Sequence, residues 1–292
     1  MISSRKEIRG VDIASHYDEL DRFYRDIWGE HVHHGLWLRG DESRPQALRQ
    51  LAEMVAREAG VTRDTRVIDI GCGYGATSQL IADEFGAEVT GITISEAQHA
   101  IAEARAAAAR EAAGATSNGS KTNPRYVCGD WLTNTLPADS FDAGIAIESS
   151  EHMDKQGFFA QARRVLRPGG RLVVNSWLSR EKPTANQVRW LIEPIAREGR
   201  MPHLGTESDY RRWAADAGFT VTKFQDVTRQ IARTWPMIVR TFVWNLLRKP
   251  AYLRFVLDPR SKNAVFGLTI VRLWIAFRTG AMRYGVFTLT KD

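Results

Sequence analysis

A chain of 292 residues with 43% apolar and 25% charged side chains has the composition of a folded globular protein, which excludes disorder, collagen-like repeats and a disulfide scaffold. Its only cysteines, Cys72 and Cys128, point to a reducing compartment, and a cytoplasmic location is expected. The net charge of +6 is modest but uneven: residues 229–283 carry eleven Arg and Lys against one acid, Asp258. That segment suits a phosphate, an anionic membrane or an acidic ligand, or simply forms a solvated face.

The first residues, Met1 to Lys6, show no signal-peptide core. No apolar run reaches the ~18 residues of a membrane span. Trp235–Leu247 and Ala264–Phe277 come nearest, and Arg240 and Arg272 break them. Contact with a membrane is therefore peripheral at most. Tyr17, Leu20, Phe23, Tyr24, Ile27 and Trp28 recur every three or four residues and predict a helix, and Pro45 opens another that ends near Ala59. The period then changes. Arg66–Ile70 reads as a strand, Ala76–Phe85 as a helix, Ala87–Thr93 as a strand, and Glu96–Ala113 as an Ala-rich helix capped by Ser95. Gly114–Pro124 is a polar insertion. Strands follow at Tyr126–Cys128 and Phe141–Ile147, then a helix near Gly157–Leu166, a Pro168–Gly170 turn and a strand at Arg171–Trp177. This alternation predicts an α/β fold with a doubly wound, mostly parallel sheet, completed by strands at Phe219–Val227 and Gly285–Thr290. Helices at Asn186–Glu198, Glu207–Ala217, Gln230–Arg248 and Lys262–Met282 exceed what such a core needs and read as a lid. The expected division is an N-terminal helical cap over 1–60, a ligand-binding core over 61–180, and the lid with the last two strands over 181–292.

The loop Gly71-Cys72-Gly73-Tyr74-Gly75 joins the first core strand to a helix. Glycines there let a ligand touch the backbone, and the helix N-terminus adds free N–H donors. The spacing is Gly-x-Gly-x-Gly, not the Gly-x-Gly-x-x-Gly that supports a pyrophosphate. Asp69 just ahead of it suits an amine better than a phosphate. Together these favour S-adenosylmethionine (SAM), which carries an ammonium and a sulfonium and no phosphate. Thr93 and Gln98 stand where a ribose is bound, about twenty residues on. Gly129-Asp130-Trp131 offers a carboxylate for an adenine amino group and an indole to stack on the ring.

Four stretches then carry a resemblance: Trp28-Gly29-Glu30-His31-Val32-His33-His34-Gly35, Gly91-Ile92-Thr93-Ile94-Ser95 with Gln98, Glu148-Ser149-Ser150-Glu151-His152-Met153, and Trp235-Pro236. Arg283-Tyr284-Gly285-Val286-Phe287 adds to them. The chain resembles the class I SAM-dependent methyltransferases, and among them the γ-tocopherol methyltransferase group with its relatives that methylate indole alkaloids. The likeness spans nearly the whole chain and implies a Rossmann-like fold. Ser150 departs from the group, where Gly is usual, and so does the Gly114–Pro124 insertion. The resemblance places the segment after the fourth strand at the donor methyl, making Glu151 and His152 the base candidates. It gives Glu148 a cofactor contact and has Tyr17, with the His31–His34 stretch, close over SAM. The expected cofactor site is Tyr17, Asp69, Gly71, Gly73, Gly75, Thr93, Ile94, Gln98, Asp130, Trp131 and Glu148.

His31, His33 and His34 are spaced poorly for a shared metal, and none is expected. The segment that amino-directed base methyltransferases place after the fourth strand is missing, so no nucleic-acid partner is expected. The aromatics Trp190, Trp213, Trp235, Phe242, Trp244, Trp274 and Phe277 crowd the lid and predict a pocket for a large hydrophobic acceptor. A prenyl quinol or similar aromatic, methylated at carbon or oxygen, fits that pocket. The alternative is a prenyl diphosphate C-methyltransferase, with Glu151 as base and the basic lid holding the diphosphate.

Overall fold

The computed structural model describes residues 2–3, 8–114, 123–257 and 266–292. In chain order the elements begin with β1 (Ile2–Ser3), α1 (Gly10–Trp28), α2 (Arg44–Glu58), β2 (Arg66–Ile70), α3 (Ala76–Phe85) and β3 (Glu88–Thr93). They continue with α4 (Glu96–Gly114), β4 (Arg125–Cys128), β5 (Phe141–Ile147), α5 (Lys155–Val165) and β6 (Leu166–Ser179). The remainder comprises α6 (Ala185–Gln187), α7 (Glu193–Glu198), β7 (His203–Leu204), α8 (Glu207–Asp216), β8 (Phe219–Asp226), α9 (Thr228–Ile231), α10 (Thr234–Arg248), α11 (Pro250–Leu257), α12 (Phe266–Arg278) and β9 (Met282–Lys291).

Seven strands form one sheet in the order β4-β3-β2-β5-β6-β9-β8. The first five run parallel, and β9 lies antiparallel to both β6 and β8. This is the expected Rossmann-like sheet. Strand periodicity divides its side chains between two cores. Val67 and Val173 face a layer containing α1, α2, α3, α7, α10 and α12 residues, whereas Ile68, Leu172 and Val174 face α5 and α8. Pro45 near the start of α2 sits beside a Ser43–Gln46 capping box, so the helix begins where proline is tolerated.

Differences from expectation lie in the C-terminal half. The Pro168–Gly170 turn interrupts a longer strand: residues 167–170 loop out between the Phe141–Leu166 and Ala143–Arg171 pairs, with Gly169 at φ +71°. The helix expected over Asn186–Glu198 contains a π turn at Val188–Ile192, and the one over Gln230–Arg248 breaks between α9 and α10. The last lid helix ends at Arg278, and Met282 already belongs to β9, because pairing with Ser179 extends that strand. Residues 115–122 of the insertion, and the start of the last lid helix at Lys262, lie outside the described residues.

Candidate active site

Each glycine of the loop after β2 is required for a different reason. All three have positive φ, which only glycine adopts freely. A Cβ on Gly71 would stand 2.4 Å from the Ser149 Cβ, and one on Gly75 would stand 2.5 Å from the Tyr126 hydroxyl. A Cβ on Gly73 meets no protein atom within 4 Å and projects into open space. That space is a cavity of about 510 Å³ at the carboxyl ends of β2, β3 and β5, the switch point of the sheet. Tyr17, Asp69, Gly71, Gly73, Thr93, Ile94, Gln98, Asp130, Trp131 and Glu148 all line it. Gly75 does not; it caps α3 and admits Tyr126, so its part in the site is conformational. Asp69 is buried, accepts the Ser78 hydroxyl at 2.6 Å and is pushed up to about 6 by burial. Thr93 donates to Gln98 Oε1 at 2.8 Å, and Asp130 holds the Leu132 N–H at 2.9 Å. Trp131, 2% exposed, donates its indole N–H to the Phe158 carbonyl. His31 and His33 line the same cavity, each hydrogen-bonded to Thr77, while His34 turns away to Glu148. Burial pushes His31 down to about 3 and lowers His33 as well.

Past β5 the backbone reaches Glu148 at φ +52°, a conformation that strains a non-glycine residue. Its carboxylate takes four donors: the His34 backbone N–H at 2.7 Å, His34 Nδ1 at 2.8 Å, the Tyr284 hydroxyl at 2.8 Å and Trp177 Nε1 at 3.0 Å. Burial opposes its charge, but His34 and His33 outweigh burial and hold the carboxyl below its usual range. Trp177 also donates its backbone N–H to Glu151 at 2.7 Å. Glu151 is buried, and burial pushes its carboxyl up; burial likewise pushes the Lys155 amine down. His152 Nδ1 faces the Arg200 carbonyl at 3.2 Å, so Nδ1 carries the hydrogen and Nε2 accepts the Tyr17 hydroxyl at 2.9 Å. Burial lowers His152 to about 4, leaving it neutral at pH 7.

A second cavity, of about 330 Å³, lies beyond this segment and shares Tyr17, Val32, Glu148 and His152 with the first. Glu151 lines only the second. Its walls are His16, Tyr24 and Trp28 of α1, Trp177, residues 195 and 197–201 in and after α7, and Thr269, Ile270 and Leu273 of α12. None of the seven lid aromatics expected there contributes. Trp190 and Trp244 are exposed, Trp213 packs on Tyr210 in the opposite core, and Trp235 stacks on Phe277 beneath Trp177. Among the described residues, no cation of the basic segment lines either cavity. Arg272 is held by Glu198 at 2.6 Å and Arg283 by Asp226 at 2.7 Å. The second cavity instead carries Glu148, Glu151 and Glu198 against Arg197 and Arg200.

Residues 4–248 match the family model described as mycolic acid cyclopropane synthetase. The chain belongs to that family. It is 28% identical to the chloroplastic tocopherol O-methyltransferase of Arabidopsis thaliana, over 96% of this chain and 81% of that one. It is 30% identical to the probable chloroplastic tocopherol O-methyltransferase of Oryza sativa subsp. japonica, over 96% of this chain and 77% of that one. The solved mycolic acid cyclopropane synthase CmaA1, complexed with SAH and CTAB, superposes with a TM-score of 0.80 at 19% identity, covering 99% of this chain and all of that one, and so shares the fold. The protein is thus a SAM-dependent methyltransferase of the tocopherol methyltransferase-like group. The first cavity fits SAM: its volume suits a small molecule, Gly73 leaves the backbone open to it, and Asp69 is a buried carboxylate that a cation would keep ionised.

Sequence reasoning gave His34, Trp177 and Tyr284 no link to Glu148, although this member of the cyclopropane synthetase family uses them to hold it. His34, Trp177 and Tyr284 converge on one carboxylate from three distant segments, and no local spacing signals that. The parts of the second cavity's wall contributed by Trp177, residues 195 and 197–201, and α12 were missed for the same reason.

Proposed function

We propose that this methyltransferase acts on a hydrophobic small molecule, a prenyl quinol or a similar aromatic, held in the second cavity. The observation that carries the reading is the shared wall of Tyr17, Val32, Glu148 and His152, through which the two cavities meet. SAM, when bound, supplies an electrophilic methyl group; the protein aligns the acceptor with it and keeps water out. Asp69, Gly71, Gly73, Thr93, Ile94, Gln98, Asp130 and Trp131 bind the cofactor in this reading, and Tyr17 and Glu148 face both ligands. Proton removal falls to His152, whose unprotonated Nε2 accepts the Tyr17 hydroxyl, and to Glu151, whose raised pKa suits a general base near neutral pH. Residues 1–60 then form a cap, 61–180 the SAM-binding core, and 181–292 the lid with the last two strands. Two free cysteines, Cys72 and Cys128, support a reducing, cytoplasmic setting.

The names of relatives support this acceptor class: the plant ones name tocopherol, and a Synechocystis one names 2-methyl-6-phytyl-1,4-hydroquinone. The diphosphate alternative loses support because, among the described residues, no Arg or Lys of the basic segment lines the second cavity. The test is transfer of labelled methyl from SAM into prenyl quinols, phenols, indoles and prenyl diphosphates. Label in a neutral lipophilic aromatic is the expected result, and label in a diphosphate refutes it.

A further inference from the structure

We propose that the outer face of α10, α11 and α12 docks on an anionic lipid bilayer beside the second cavity. Ten large hydrophobic side chains are exposed among the described residues, and seven of them lie on these three helices. On α10, Val243, Trp244 and Leu247 share one face; on α12, Leu268, Val271 and Ile275 do the same at spacings of three and four. Leu253 adds to them from α11, and α10 packs against both other helices. Scattered exposed apolar residues need no explanation, but a concentration of this kind marks an interaction site.

Charge selects the occupant. Exposed Arg240, Arg248, Arg254 and Arg278 belong to the same helices, and residues 229–283 contain a single acid. The Arg248 guanidinium lies 3.7 Å from the centre of the Trp244 ring, pairing a cation with an interfacial aromatic. A second copy of the chain meeting this face about a two-fold axis would set arginine against arginine. Anionic headgroups would neutralise them while the apolar stripes enter the acyl boundary. No helix of the described residues is long and apolar enough to cross a membrane, so the helices lie in its plane.

The opposite face of α12 gives the docking a use. Thr269, Ile270 and Leu273 line the second cavity while Leu268, Val271 and Ile275 face outward. A single helix thickness, about 10 Å, therefore separates that cavity from the docked surface. A lipophilic acceptor dissolved in the bilayer needs to travel only that far; this last step rests on the acceptor reading above, whereas the docking does not.

The experiment is co-sedimentation of the full chain, without acceptor, with vesicles of phosphatidylcholine alone or mixed with phosphatidylglycerol. Binding is expected to the mixed vesicles only and to weaken as salt rises. The double variant Trp244→Ser/Leu247→Ser should lose it. Arg240→Gln/Arg248→Gln should weaken it about fivefold per arginine removed. Both variants should methylate a water-soluble phenol or indole at the parent rate if either is an acceptor. Three results would each overturn the proposal: no partition into either vesicle, equal partition of the variants, or sedimentation velocity showing a dimer that Trp244→Ser/Leu247→Ser dissolves. A failure of the quinol assay with intact vesicle binding would refute only the acceptor reading.

Discussion

Replacing Gly73 by valine separates ligand binding from folding. The backbone at Gly73 has φ +55°, and forcing a β-branched residue to hold it costs about 1–3 kcal/mol. The new Cβ itself adds no clash to that figure, since it meets no protein atom within 4 Å. The variant should therefore fold, with Tm lowered by several degrees, at about 2–4 °C per kcal/mol in a chain of this class. Its branched side chain instead fills the cavity where SAM is placed. Steric exclusion of that kind is expected to weaken binding by at least about a hundredfold, or ~2.7 kcal/mol. Isothermal titration with SAM reads the affinity, and thermal unfolding reads the fold. Gly75→Val supplies the contrast: its Cβ would stand 2.5 Å from the Tyr126 hydroxyl, so loss of stability should dominate. Normal SAM affinity in Gly73→Val refutes the site assignment. Equal destabilisation of the two variants refutes the distinction between them.

Glu151→Gln should leave SAM affinity unchanged and lower kcat about a hundredfold or more if Glu151 takes the proton, with the acid limb of the rate profile shifting; an unchanged kcat assigns the residue a structural part. Asp69 is raised from 3.8 to about 6, so its protonated form stabilises the fold below pH 4 and that contribution is lost as pH rises through 6. Asp69→Asn should flatten the stability profile of the SAM-free protein across that window by roughly 2–3 kcal/mol, read from urea midpoints. His152 is lowered from 6.5 to about 4 and acts oppositely: stability is present above pH 6.5 and lost as pH falls through 4, a dependence His152→Gln removes. Arg272→Gln leaves Glu198 with the Thr269 hydroxyl at 2.6 Å and the neighbouring Arg197; a loss of about 1–3 kcal/mol in stability is expected, and none would show that the Arg272–Glu198 pair does not help to join α7 and α12.

The amino-acid sequence alone determined the half of the sheet around the first cavity. Arg66–Ile70, Ala76–Phe85 and Phe141–Ile147 match the observed elements residue for residue, and ten of the eleven expected cofactor residues line one cavity. Local information sufficed because a parallel sheet gathers the ends of successive strands, each followed by its own short motif. Gly75 stands outside that cavity, because spacing does not tell a glycine that faces a cavity from one that admits Tyr126. The second cavity and its surroundings were decided by tertiary structure. Tyr17 meets His152 across 135 positions, His34 meets Glu148 across 114, and Tyr284 meets it across 136. The lid aromatics were misread for a related reason. Composition reports how many rings a segment holds, but helix packing decides that Trp235 is buried beneath Trp177 while Trp244 faces outward. Burial of carboxylates and imidazoles among such distant partners sets their protonation, and that too exists only once the chain has folded.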